Sequence, residues 1–216
     1  MINHITFGGQ KYNFLQNQTG LPCAYCGGNI VSEKDMKLLR RCLEGKKGIE
    51  IAQILTPYLG FFADVENEPI YELVNLAKNP RYSNVSLKNL ALHLKKRGVY
   101  STDTNQLIHN LFEPVLYSVE HTVPRSEGGK NSYSNYLPMH RICNSSRSSD
   151  SYQKVFIENP KFVENINKAL HEITSRILSD RAGLTHYGIN LPEDYAVRVA
   201  ESIASQGIPR ELIILA

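Results

Sequence analysis

Two short pairs of metal-seeking side chains stand far apart in the chain, Cys23-Ala-Tyr-Cys26 and His140-Arg-Ile-Cys143, and any fold it adopts must let them meet. Ligands separated by two residues can grip one ion because a tight turn brings their side chains together, and zinc takes four such donors tetrahedrally. A single Cys-x-x-Cys also suits a redox motif or a buried pair. Two half-sites point to structural zinc on Cys23, Cys26, His140 and Cys143, and with it a reducing compartment rather than two disulfides. Pro22 and Gly27-Gly28 mark the knuckle turn at the first pair. Cys42 is left over, and its apolar helical setting reads as a small core residue.

Between the half-sites the pattern is helical. Ser32 is a good N-cap, after which Met36, Leu38, Leu39, Cys42 and Leu43 recur at helical spacing until Gly45 offers a stop. Further helical patterns run over 48–56, 68–78, 86–97 and 103–112, broken by Pro57-Tyr58, Asn79-Pro80 and Gly98. After Pro114 the grammar changes. Val115 to Val119 is β-rich, a Gly-Gly loop follows Pro124, and Tyr136 to Met139 is a second extended piece. From Cys143 to about Ile157 the chain reads as one polar helix. Beyond Pro160 come a long amphipathic helix carrying Phe162, Ile166, Leu170, Ile173, Ile177 and Leu178, a helix over 192–206, and a short apolar end. The first 20 residues show no clear period.

Formal charge is only +3, so any grip on a polyanion must come from local patches. Arg40-Arg41 with Lys46-Lys47, and Lys95-Lys96-Arg97, are such clusters; each reads equally as a solvated helix face or as a contact to backbone phosphates. No stretch reaches the roughly 20 apolar residues that span a bilayer, and the start shows no basic region followed by an apolar run. The expectation is a chain without membrane partner or cleavable signal, cytoplasmic, or delivered into the cytoplasm of a target cell if it is a toxin.

The stretch from Glu120 to Arg147 carries the chemistry: Glu120-His121, Pro124, Gly128-Gly129, Asn135, then His140-x-x-Cys143-Asn144. It resembles the HNH, or ββα-metal, endonuclease family in its zinc-knuckle form, over about 35 contiguous residues plus the remote Cys23 and Cys26. The resemblance implies a ββα core in which His121 is general base, Glu120 and Asn144 hold a catalytic divalent ion, and Asn135 orients the loop that aims His121. It also implies phosphodiester hydrolysis leaving 5′-phosphate and 3′-hydroxyl ends. Glu120 stands where Asp or His is more usual, His140 where Cys is, and about 93 residues separate Cys26 from Glu120 where simple relatives have a short connection.

These residue types suit that reaction. Imidazole, with a pKa near 6.5, can be neutral at working pH and take a proton from water. A hard cation such as Mg²⁺ needs few protein oxygens, so one carboxylate and one amide carbonyl suffice to hold it against a phosphate. The zinc fixes the frame and takes no part in the reaction. Arg147, Arg125, Lys130 and Arg141 lie inside the motif and are the expected contacts to substrate phosphates. His4, His93, His109, His171 and His186 have no partner motif and read as structural.

The whole is expected to be α+β, a mainly helical chain around a small ββα core: an N-terminal segment 1–31 with the first zinc half-site, a helical insertion 32–112, the catalytic core 113–158 and a helical region 159–216. DNA is the expected substrate, with RNA open, and the helical regions offer surface to a protein partner. The resemblance places such chains in bacterial defence, in toxins or in mobile elements. The rival reading is a non-catalytic zinc-knuckle module that binds nucleic acid or protein. Such a module needs the four zinc ligands but has no use for Glu120, His121 and Asn144 together.

Overall fold

Ser32 begins the first helix as an N-cap should. Its hydroxyl accepts from the Asp35 amide at 3.1 Å, and the Asp35 carboxylate accepts from the Ser32 amide at 2.9 Å, a reciprocal capping box. In the computed structural model, which describes residues 5–7, 10–12, 15, 18–65, 68–94, 99–148, 150–179 and 192–214, helix α1 (Glu33–Leu43) leads into a helical lobe. The lobe continues through α2 (Gly48–Leu55), a 3-10 segment Thr56–Phe62, α3 (Glu68–Lys78), α4 (Leu87–Ala91) and α5 (Thr104–Phe112). Their apolar faces close a core of their own, with Leu39, Ile51, Leu55, Ile70, Leu73 and Phe112 buried.

The chain enters and leaves this lobe side by side. Val31 donates to the Val115 carbonyl and accepts from the Tyr117 amide, both at 3.0 Å, a parallel bridge next to Leu116. Strand β3 (Tyr117–His121) then pairs antiparallel with β4 (Tyr136–His140), His121 opposite Tyr136 and Tyr117 opposite His140. Helix α6 (Arg141–Arg147) follows β4 without a loop and completes a ββα unit, so the fold is α+β with a small antiparallel sheet in a helical chain. A second core gathers under it from Leu21, Ile30, Leu137, Met139, Tyr152 and the helices α7 (Tyr152–Glu158), α8 (Phe162–Ser179) and α9 (Pro192–Ala204). On α8 the seven positions Phe162, Val163, Ile166, Ala169, Leu170, Ile173 and Ile177 are buried at helical spacing, while Leu178 points outward.

Several expectations need correcting. The polar stretch after β4 is two helices. Ser148 breaks it with a positive φ of 50°, and Ser151 restarts it by accepting from the Lys154 amide. The pattern over 86–97 yields a helix only to Ala91, since Leu92, His93 and Leu94 donate three residues back, tightening the turn until it ends. Cys42 is exposed and belongs to neither core, because it lies on the solvent side of α1 with Leu38. The opening residues form a small hairpin, β1 (Ile5–Phe7) with β2 (Gln10–Tyr12). Lys95, Lys96 and Arg97, together with His4, His186 and Leu215, lie outside the described residues. Among the described residues no helix is long and apolar enough to cross a membrane.

Candidate active site and metal centre

The knuckle forms because the chain at Cys23 folds back on itself and docks against the edge of β4. Cys23 donates to the Gly28 carbonyl and accepts from the Gly27 amide, both at 2.8 Å, and Gly27 has φ +81°, a left-handed turn that favours glycine. Ala24 then donates to Pro138 at 2.9 Å, which is why a proline is tolerated in β4: its outer edge presents a carbonyl there and no partner needs its missing N–H. This docking gathers the Sγ atoms of Cys23, Cys26 and Cys143 and a ring nitrogen of His140 within 4.8 Å of one another.

That set fits zinc. Tetrahedral bonds of about 2.3 Å to sulfur and 2.0 Å to nitrogen set the sulfur–nitrogen separation near 3.5 Å. His140 Nδ1 lies 3.3 Å from Cys26 Sγ and 3.8 Å from Cys143 Sγ. The other ring nitrogen, Nε2, donates to the Asn29 carbonyl at 2.9 Å, which fixes the tautomer and turns the Nδ1 lone pair toward the sulfurs. Burial pushes the Cys23 thiol up, but hydrogen bonds from Cys143, Cys26 and the amides of Cys26 and His140 outweigh it, and its pKa falls well below the ordinary thiol value. Its neighbours thus ease loss of the Cys23 proton, which ligation of zinc requires.

Strand register places His121 at the opposite end of the sheet from this cluster, roughly 13 Å along a five-residue strand. His121 Nε2 lies 3.0 Å from Asn131 Oδ1 and 3.4 Å from Arg125 Nε, and the ring stands edge-on to Tyr136 at 5.0 Å. One nitrogen cannot serve both neighbours. The shorter contact, to an acceptor oxygen, requires Nε2–H, so Arg125 contributes charge and Nδ1 keeps its lone pair. Partial burial pulls the His121 pKa below its ordinary value; the bond to Asn131 opposes this, and the charges of Arg125 and Arg147 reinforce it. The neutral, proton-accepting form is therefore favoured.

Asn135 ties the loop beneath His121. Its Oδ1 accepts from Thr122 Oγ1 at 2.6 Å and the Val123 amide at 2.7 Å, and its Nδ2 donates to the carbonyls of Val123 at 2.9 Å and Lys130 at 3.1 Å. Ser202 of α9 reaches the same carbonyl oxygen at 3.3 Å, so the C-terminal helix braces the loop from behind.

Two periodicities meet on the other face. Ser118 and Glu120, two apart on β3, confront Asn144 and Arg147, three apart on α6. Asn144 Nδ2 donates to Ser118 Oγ at 2.8 Å and to the Val119 carbonyl at 2.9 Å, so its Oδ1 is turned away from the strand and takes no hydrogen bond among the described residues. Glu120 is buried and forms an ion pair with Arg147, with the Tyr152 hydroxyl at 3.5 Å. Desolvation outweighs Arg147, and the Glu120 carboxyl is pushed up to about 7. Glu120 and Asn144 are oxygen donors of the kind a hard divalent cation takes, although a cation at Glu120 must compete with a guanidinium.

The four expected phosphate contacts divide. Arg125 and Lys130 are exposed on the His121 loop; Arg141 is exposed and 3.6 Å from Glu113; Arg147 is buried, held by Glu120, by the Asp150 carbonyl and, at 3.5 Å, by the His121 carbonyl. Arg147 thus joins the His121 cluster to the Glu120–Asn144 cluster from inside and does not face solvent. Sequence reasoning missed Asn131, whose signal was an amide at the tip of the Gly-Gly loop, and Thr122 and Ser202, which carried none.

Residues 109–150 match the family model described as HNH endonuclease, and the match takes in β3, the loop, β4 and α6. Neither a search of curated proteins nor one of solved structures finds a match to the chain. Family match, ββα topology and the Cys3His cluster agree: the chain carries an HNH endonuclease domain over residues 109–150.

Proposed function

We propose that the protein is a metal-dependent endonuclease that hydrolyses DNA phosphodiester bonds with His121 as general base. The observation that carries this reading is the state of His121: its Nε2 is committed to Asn131, its Nδ1 lone pair is left over, and its surroundings favour the neutral ring. A base so held takes the proton from a water at Nδ1 as that water's oxygen bonds to phosphorus. The bond from phosphorus to the 3′-oxygen breaks, and the departing oxygen takes a proton from a solvent water, leaving a 5′-phosphate and a 3′-hydroxyl. A divalent ion, Mg²⁺ or similar, held by Glu120 and Asn144 would supply positive charge where the phosphate oxygens gain negative charge. Asn135 keeps the His121 loop in one shape, and the exposed Arg125 and Lys130 draw the substrate backbone toward it. Zinc on Cys23, Cys26, His140 and Cys143 fixes the frame. We further propose the division into an N-terminal segment, a helical insertion, a catalytic core and a C-terminal helical region, the helical parts offering surface to a protein partner.

The test is His121→Ala. Loss of a general base costs about 10²–10⁴ in rate, and cleavage of plasmid DNA should fall by that factor while zinc content and the melting curve stay near the parent. Parental cutting by the variant overturns the assignment. No cutting by the parent across several divalent metals and across duplex, single-stranded and RNA substrates makes the chain a zinc-knuckle binding module. The resemblance also supports a role in bacterial defence or conflict, for which growth arrest on expression, absent in the His121→Ala chain, is the check; unimpaired growth sinks that role.

A further inference from the structure

The helical lobe carries a groove of about 540 Å³ that the HNH domain does not account for. Its walls bring five cations, Arg40, Arg41, Lys46, Lys47 and Lys88, together with one carboxylate, Glu44. Lys46 is paired with Glu50 at 2.9 Å. Arg40, Arg41, Lys47 and Lys88 have no ion-pair partner among the described residues, and the buried Arg40 Nε has no hydrogen-bond acceptor. Cations that outnumber carboxylates five to one along one groove set up a local positive field that draws anions.

The floor of the groove is built, not incidental. Lys47 bridges Ser86, and the Gly48 amide donates to the Val85 carbonyl at 3.0 Å, which sets the start of α2 against the segment before α4. Only glycine allows this approach, since a Cβ at position 48 would fall 2.4 Å from the Ser83 carbonyl oxygen and φ there is +41°. Helix α2 starts from Lys47, which lines the groove and makes no side-chain cap of its own.

We infer that this groove binds the phosphodiester backbone of a nucleic-acid duplex. The cations come from three chain segments strung along an open groove, which suits a repeating polyanion better than one enclosed phosphate. Among the described residues no aromatic side chain lines it, so these residues offer no platform on which unpaired bases stack. Backbone contact of this kind positions a duplex without reading its sequence. For its choice of polyanion the inference rests on the nuclease reading, but it concerns binding and needs no cleavage.

The experiment therefore uses the full chain with His121→Ala and follows fluorescence anisotropy of a labelled 30-base-pair DNA duplex from 50 to 300 mM salt. Adding R41Q, K47Q and K88Q should weaken binding at least tenfold at 100 mM salt and flatten the plot of log K against log salt by about 0.9 for each phosphate that is no longer neutralised. A charge-matched control, K34Q with K78Q and K161Q on exposed sites elsewhere, should leave the slope in place. Parallel arms with duplex RNA and single-stranded DNA identify which backbone is held. Thermal melts and zinc content establish that each variant is folded, and the three single variants are read if the triple is not. An unchanged slope in the groove variant overturns the inference, as does equal weakening in the control or tighter binding of polyglutamate than of duplex. Binding through the groove by a chain whose His121 form cuts nothing leaves the groove standing and sinks only the nuclease.

Discussion

The two hydrophobic cores hold different things. The core of the helical lobe, between Val31 and Leu116, is filled by aliphatic and aromatic side chains, and the buried polar residues at its margin are Ser32 and Asp35, which satisfy each other in a cap. The core under the HNH domain encloses or borders Glu120, Thr122, Asn135, His140, Arg147, Asn165 and Thr174. Burying such groups costs stability unless each finds a partner, and a buried ion pair seldom repays its desolvation. Cys23, Cys26, His140 and Cys143 lie in this second core, so zinc can supply cohesion that apolar packing there does not. One core is stable because of what it excludes; the other leans on polar groups finding partners, as Glu120 does with Arg147.

The sharpest way to break this contrast is to disable the proposed zinc cluster. Cys143→Ser, or chelation, should lower the melting temperature by roughly 8–16 °C, taking about 4 kcal/mol at about 2–4 °C per kcal/mol for a chain of this size. Amide exchange should then quicken in β3, β4 and α6 while α2 and α3 stay protected, and simultaneous loss in both would show the cores to be one. A smaller effect is expected from Leu73→Ala, which opens a cavity in the apolar core at about 2–4 kcal/mol. Stability should fall with zinc content and cleavage per folded molecule unchanged; a lost zinc ion would count against separate cores. The smallest effect should come from Asn131→Asp. If His121 is the base of the proposed nuclease, its lowered pKa should place the acidic limb of the parent's rate below the ordinary imidazole value. A carboxylate in place of Asn131 Oδ1, 3.0 Å from Nε2, stabilises imidazolium, so the limb should move to higher pH by about one unit. A limb that stays put would mean that His121 is not the base being titrated.

What could be read from residues alone follows the same division. The cap at Ser32, the helix at Glu68–Lys78 and the face of α8 were legible because local spacing decides them. The metal cluster was legible because four ligands in two pairs have few other uses. Arg147 was not: charge on a helix suggests solvent, and only the register of β3 against α6 shows that Glu120 waits beneath it. Serine at 148 does not announce a positive φ, and the Arg147 side chain bonding to Asp150 across the break is a tertiary fact. Cys42 misled because one helical face was drawn too wide. Asn131 required knowing where the loop returns.

The bridge beside Val31 has a consequence for the order of assembly. Cys26 must find His140 across 114 residues, and loop entropy rises by about 0.6 kcal/mol for each doubling of the span. Most of that span is the lobe, whose two ends are clasped by the amide and carbonyl of Val31. If the lobe closes first, the search shrinks about fourfold in effective length, an easing of about 1.2 kcal/mol. The appendage is then a doorway already shut behind the traveller, and the late-forming knuckle inherits a short walk rather than a long one.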